Sequence, residues 1–225
     1  RRVEGNGFEA DDFACAYAHE AAKNGMRVTI VSGDRDLLQL ATGDIRISVP
    51  HKGYQQPEYF GPAEILAKYG VRPAQIACYK GMVGDSSDNL PGVKGIGPVA
   101  AAALLSKYQT LEGVYEHLAD VKPGWRDKLE TGREQAFFCK RMATLICDMP
   151  LPVPLEELQL IQLPTGKILE LFSQLGFLLL SKRLHTFVNA EYGQAHFTPP
   201  PAGAMLGTVQ KVEVAAGQES QLSLL

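Results

Sequence analysis

The chain has 225 residues, 45% of them hydrophobic, and a formal net charge of −3 at pH 7. This excludes a disordered or fibrous chain and leaves room for a substantial core. It contains no run of about 18 apolar residues, so a membrane-spanning helix is excluded too, and a near-neutral sum says less about partners than the distribution of charge does.

Glu9 to Asn24 reads as a helix, with acids in its first turn, Phe13 and Tyr17 four apart and Gly25 as its stop. Arg27 to Ser32 is a short β-branched run that predicts a buried strand. It ends at Gly33-Asp34-Arg35-Asp36, followed by the apolar segment Leu37 to Ala41 and a second strand over Ile45 to Val49. Helix, strand and acidic loop in that order predict an α/β sheet, in which ligands sit outside the carboxyl ends of the strands. From Pro62 onward the pattern is helical: Pro62–Tyr69, Pro73–Val83, Pro98–Tyr108, Leu111–Ala119, Gly124–Leu129 and Gly132–Cys147. The stretch from Asp148 to Pro164 predicts mostly extended chain, then Lys167–Leu175 and Leu178–Val188 predict a closing helical pair packed on the core. Beyond Asn189, the Pro199-Pro200-Pro201 run and sparse charges predict a flexible tail. Cys15, Cys78, Cys139 and Cys147 show no CxxC spacing and are expected to pack as small hydrophobes in a reducing compartment. The chain opens Arg1-Arg2, without an initiator Met or signal peptide, and is expected to derive from a longer protein.

Three acidic clusters punctuate the first 90 residues: Glu9/Asp11/Asp12, Asp34/Asp36 and Asp85/Asp88. Each alone admits a structural role, as a complement to a helix dipole, a cap or a turn former. Together at the edges of one sheet they would repel one another unless counter-ions sit among them. A pair of divalent ions satisfies them, and two ions about 3.5–4 Å apart suit in-line phosphoryl displacement. Directly after Asp88 comes Gly92-Val93-Lys94-Gly95-Ile96-Gly97, a glycine-punctuated hairpin opening into an alanine-rich helix from Pro98. Glycines there let backbone N–H groups approach a phosphate.

These motifs, Glu9-Ala10-Asp11-Asp12, Ser32-Gly33-Asp34-Arg35-Asp36 and Gly84-Asp85-Ser86-Ser87-Asp88-Asn89 through Gly97, closely resemble the 5′-nuclease family. That family includes the 5′→3′ exonuclease domain of bacterial DNA polymerase I and the flap endonucleases, and the resemblance runs from about Gly7 to Val188. It implies an α/β fold: part of a PIN-like nuclease core over residues 1–83, a helix-hairpin-helix region with closing helices over 84–189, and a flexible tail over 190–225. It implies that Glu9, Asp11, Asp12, Asp34, Asp36, Asp85 and Asp88 are catalytic metal ligands for two Mg2+ ions, with Mn2+ as an alternative. Gly92, Lys94, Gly95, Gly97 and Lys107 would then hold duplex DNA by its backbone, with K+ at the hairpin carbonyls. The implied activity is 5′→3′ exonuclease or 5′-flap endonuclease in bacterial DNA replication and repair, in the nucleoid-associated cytoplasm. Two departures stand out. The family's upstream aspartates and basic helical arch precede Arg1, and Pro98-Val99-Ala100-Ala101 replaces the usual polar start of the helix after the hairpin. The alternative is therefore a structure-specific DNA-binding fragment whose acidic site is inert.

Lys122, Arg126, Lys128, Arg133, Lys140 and Arg141 form either a phosphate-tracking face or a solvated helix surface, and Trp125, Phe137 and Phe138 are expected in the core. The last residues, Gln221, Leu222, Leu224 and Leu225, are similar to the short peptide by which bacterial proteins dock on the sliding clamp; the alternative is a linker into a polymerase domain.

Overall fold

The structure, a computed structural model, describes residues 2–5, 7–51, 56–159 and 162–199. It forms two compact units, Arg1–Leu158 and Gln159–Leu225. The first carries every acidic cluster and the hairpin.

In the first unit, helix α1 (Ala10–Lys23) begins at Glu9, whose N–H donates to the Asp12 carboxylate at 3.0 Å. That reciprocal bond satisfies an amide the helix cannot. Strand β1 (Val28–Val31) runs parallel to β2 (Ile45–His51), with Val28 opposite Ile45, and a 3-10 turn over Asp36–Leu40 lies between them. A third strand, β3 (Gln56–Phe60), pairs antiparallel with β2 and was not foreseen. Its Gln-Pro-Glu-Tyr-Phe sequence lacks a β-branched run, and Pro57 is tolerated because β3 is an edge strand. Ile45, Ile47 and Phe60 face inward onto Leu37, Leu38, Ile65 and Met82 in one buried cluster.

Helices α2 (Pro62–Tyr69), α3 (Ile76–Val83), α4 (Pro98–Tyr108), α5 (Leu111–Glu116), α6 (Pro123–Thr131) and α7 (Arg133–Met142) come next along the chain. Pro62, Pro98 and Pro123 stand in the first turn of α2, α4 and α6, where the missing N–H costs nothing. Helix α7 ends five residues earlier than its sequence pattern predicts. Residues 143–148 instead form a strap without helical or strand structure, whose backbone groups find side-chain partners. Gln39 Nε2 donates to the Ala143 carbonyl at 2.9 Å, and the Ile146 N–H donates to Asp12 Oδ1 at 2.8 Å. Long-range partners outcompete the next helical turn.

The strap also corrects the cysteine expectation. Cys15 on α1 and Cys147 form a disulfide across 132 residues of sequence, whereas Cys78 and Cys139 are free and buried as expected. No spacing motif announces a pair whose partners meet only when the strap crosses α1. Phe138, expected in the core, is 43% exposed.

The second unit contains α8 (Thr165–Gln174), α9 (Leu178–Val188) and α10 (Glu191–His196). The last of these lies within the stretch whose composition predicts a tail. Gly193 lets α10 approach α9, because a Cβ there would sit 1.9 Å from the Phe187 carbonyl oxygen. Gln221, Leu222, Leu224 and Leu225 lie outside the described residues.

Candidate active site

Each acidic cluster is shaped by its own short-range bonds. After β1, Ser32 Oγ accepts the Asp34 N–H at 3.0 Å and Asp34 Oδ1 accepts the Asp36 N–H at 2.8 Å. This curls the loop so that both carboxylates stand at the end of the strand, and buried Leu37 and Leu38 pin the 3-10 turn after it. After α3, Asp85 and Leu90 exchange backbone hydrogen bonds of 2.7 and 2.8 Å, closing the turn that carries Asp88. Asp85 Oδ1 accepts the Ser87 N–H and hydroxyl at 2.9 and 2.5 Å.

The seven acids line two cavities that share Asp34 and Asp88. A cavity of about 350 Å3 takes Glu9, Asp11, Asp12, Asp34, Asp36 and Asp88, with the strap residues Thr144, Leu145 and Ile146 as another wall. A cavity of about 700 Å3 takes Asp34, Asp85 and Asp88 together with Lys80, Tyr69 and Tyr79. The tertiary structure thus gathers acids separated by up to 79 positions, Glu9 to Asp88, around one recess.

Crowding shows in the protonation behaviour. Burial, then Asp34, which shares a hydrogen bond with it, and then Asp36 and Glu9 push the Asp11 carboxyl up to about 6. Burial likewise raises Asp36, with Asp34 and Asp88 adding to it, against the pull of Lys80. Burial would raise Asp85 as well, but hydrogen bonds from Lys80 and Ser87 outweigh it and hold the group near 2.

Lys80 is the residue the sequence did not single out. Its ammonium pairs with Asp36 and lies 2.5 Å from Asp85 Oδ2, and its side chain is only 10% exposed. Asp36 Oδ1 is buried and has no hydrogen-bond partner apart from that ammonium. Burial lowers the Lys80 ammonium's affinity for its proton, but the two carboxylates prevail and raise it. A signal was present: Lys80 is the lone charge in the otherwise apolar α3, five residues before Asp85. A buried lysine requires a carboxylate partner.

The donor set fits a hard divalent ion, since it is all oxygen and exceeds the charge that Lys80 can balance. The raised Asp11 supports the fit: its carboxyl is pushed up to about 6 first by burial and then by Asp34, Asp36 and Glu9, and a nearby cation would relieve that second, carboxylate part. Among the described residues, no three carboxyl groups each bring an oxygen within 4.8 Å of the others; the one trio of that kind is Cys15, His19 and Cys147. Asp12 is distinct from its neighbours, because its two oxygens accept the Glu9 and Ile146 N–H groups and tie α1 to the strap.

The hairpin stands directly beyond this turn. Val93 and Ile96 are each 3% exposed and anchor it between α3 and α4, with the Val93 N–H donating to the Met82 carbonyl at 2.8 Å. Gly92 packs on Gly84 so closely that a Cβ would lie 2.3 Å from the Gly84 nitrogen, and both have positive φ. Lys94, Gly95 and Lys107 are exposed. Lys128 on α6 donates to the Gly95 carbonyl at 3.2 Å and so joins the hairpin from a distant element.

The other cations of the basic stretch mostly serve local structure. Arg126 donates to the carbonyls of Ala119 and Val121, Lys140 pairs with Glu112 at 2.6 Å, and Lys122 and Arg133 lie over aromatic rings. Trp125 and Phe137 pack against the core as expected.

Two family models match successive parts of the chain: the N-terminal resolvase-like domain of 5′-3′ exonuclease over residues 1–70 and its C-terminal SAM fold over residues 71–165. The chain belongs to the 5′-3′ exonuclease family. It is 38% identical over 184 residues to DNA polymerase I of Caldicellulosiruptor bescii, covering 81% of this chain and 22% of that protein. It is 44% identical over 158 residues to flap endonuclease Xni of Cronobacter sakazakii, covering 70% of this chain and 61% of that protein. The matched stretch is thus about a fifth of the polymerase and less than two thirds of the flap endonuclease. A solved structure described as divalent metal ions (zinc) bound to T5 5′-exonuclease superposes with a TM-score of 0.56 at 20% identity, over 64% of this chain and 52% of that one. That likeness shows the exonuclease-family fold, α/β and PIN-like with a helical module after it. Among the described residues, no helix is long and apolar enough to cross a membrane.

Proposed function

We propose that this chain carries the metal-binding and DNA-holding parts of a Mg2+-dependent 5′→3′ exonuclease or 5′-flap endonuclease. The observation that supports this best is the convergence of three acidic clusters on one recess immediately beside the glycine hairpin. Glu9, Asp11, Asp34, Asp36, Asp85 and Asp88 would hold a pair of divalent ions, Mg2+ or Mn2+. Such ions make bound water a nucleophile near neutral pH and draw charge off the leaving oxygen. Asp12 holds α1 on the strap and so keeps Glu9 and Asp11 at the cavity rim. Lys80 offsets charge on Asp36 and Asp85 while leaving Asp11 and Asp34 open to a cation. Of the five residues expected to hold DNA, Lys94, Gly95, Gly97 and Lys107 would grip duplex phosphates by backbone and charge, with K+ on the hairpin carbonyls, so that contact carries no base code. Gly92, buried against Gly84, would shape the turn rather than touch DNA. The terminal peptide Gln221 to Leu225 would dock on a sliding clamp, which deleting it should abolish. These roles belong with the bacterial nucleoid.

A second reading is favoured by one observation: no three carboxyl groups converge to 4.8 Å among the described residues. It makes the chain a structure-specific DNA-binding fragment with an incomplete metal site. Cleavage of a labelled 5′-flap DNA in Mg2+ separates the two, run with this chain and with one extended by upstream family strands. Cutting by both supports the nuclease reading, cutting only by the extended chain supports the binding fragment, and cutting by neither overturns the nuclease reading.

A further inference from the structure

The disulfide has a place that suggests more than stapling. Cys15 lies one turn along α1 from Asp12, and Cys147 is next in the chain to Ile146, whose N–H Asp12 accepts at 2.8 Å. The disulfide and that hydrogen bond therefore tie the same two segments side by side. One segment presents Glu9, Asp11 and Asp12 to the 350 Å3 cavity, and the other forms its wall through Thr144, Leu145 and Ile146. The two thiols differ in access: Cys15 is fully buried, Cys147 is half-buried, and the exposed His19 places its Nδ1 3.8 Å from Cys15 Sγ.

We propose that Cys15, Cys147 and His19 form a reversible thiol–disulfide site whose closure preorganises the acidic cavity for divalent ions. This rests on the metal-site reading above. The co-reactant is a small-molecule disulfide of the glutathione type. The Cys147 thiolate attacks one of its sulfurs and expels a thiolate, leaving a mixed disulfide. The Cys15 sulfur then attacks the Cys147 sulfur, giving up its proton to His19, and expels the second thiolate. The protein loses two hydrogens, the small disulfide becomes two thiols, and the Cys15–Cys147 bond forms. Closure holds the strap against α1 so that an ion meets a cavity already shaped, and reduction returns that ordering cost to the binding step. Because binding linkage is reciprocal, an ion that prefers the closed form must make the disulfide harder to reduce by the same factor.

The test uses the full chain poised in glutathione buffers, with thiols counted after alkylation and Mn2+ affinity read from the free-ion resonance signal. The expected result is loss of two of the four thiols, mapped to Cys15 and Cys147. Mn2+ should bind about fivefold more tightly to the oxidised chain. Saturating Mn2+ should shift the half-oxidation ratio by the same factor, and Cys147→Ser should bind like the reduced chain in every buffer. Equal Mn2+ affinity in both forms overturns the coupling and leaves the metal site standing. Absence of Mn2+ binding in both forms overturns the metal-site reading and the coupling with it. Retention of one equivalent of zinc by the reduced cysteine pair, with resistance to oxidation, overturns the redox site in favour of a thiolate metal site.

Discussion

The acidic recess and the hairpin beside it are held together by opposite means. The hairpin is held by neutral packing and backbone bonds: Val93 and Ile96 are buried, Val93 is tied to the Met82 carbonyl, Gly92 meets Gly84 at a distance only glycine permits, and Lys128 adds one bond to the Gly95 carbonyl. The recess is electrostatically unfinished. Its carboxyls come from three separated segments, burial and mutual repulsion raise Asp11 and Asp36, and one buried lysine offsets part of the charge. On the function proposed above, a grip on a regular polyanion can be built into the backbone once, whereas a site for cations must stay short of positive charge until they arrive.

Removing the recess while sparing the hairpin should produce the largest separation. In a chain that cuts flap DNA, Asp34→Ala with Asp85→Ala should lower cleavage roughly a thousandfold or more. Duplex affinity measured by anisotropy should stay within about twofold; loss of both together would mean that the two regions are not separable. The reverse experiment is Gly92→Ala, which forces a Cβ onto the Gly84 nitrogen at positive φ. It should cost about 2–4 kcal/mol in urea unfolding, whereas Gly97→Ala, where a Cβ meets nothing within 4 Å, should cost under about 1 kcal/mol.

Lys80→Met probes the balance inside the recess. Breaking the pairs with Asp36 and Asp85 leaves two partly buried carboxylates uncompensated, so the metal-free chain should lose about 3 kcal/mol. Mg2+ should then raise the melting temperature of the variant more than that of the parent. An equal rise would show that Lys80 and the ion do not share ligands.

The pH dependence comes from the same imbalance. Asp11 binds its proton up to about pH 6 when folded but only to about 3.8 when unfolded, so the folded state holds more protons in that window. Its contribution should make the metal-free chain less stable as the pH rises from 3.8 to 6. Asp85 acts in the opposite sense: its contribution is present above 3.8 and is lost as the pH falls toward 2. Urea unfolding in chelator across pH 4–6 should show the Asp11 slope in the difference between the parent and Asp11→Asn, and saturating Mg2+ should flatten it. The smallest effect belongs to Lys94→Ala, which should weaken duplex binding uniformly across sequences and reduce its salt slope by about 1. An unchanged slope would remove Lys94 from the grip.

Much of this organisation was legible in the chain itself. The hairpin could be read because its determinants are local: Gly92, Gly95 and Gly97 fall within six residues, next to the proline that opens α4. The seven acids could be read because each cluster is short and adjoins a recognisable element. Helix boundaries at Pro62, Pro98 and Leu178 matched because each start is encoded within a turn. Strand β3 was missed because edge strands need neither apolar alternation nor the absence of proline. The end of α7, the disulfide and the Lys80 bridge were decided only by tertiary structure. Each depends on a partner distant in sequence: Asp12 lies 134 positions from Ile146, Cys15 lies 132 from Cys147, and Lys80 reaches back to Asp36. Local sequence fixes which backbone conformations are cheap; which buried amide, thiol or charge finds its partner is decided when the strap and α3 close over α1 and the sheet.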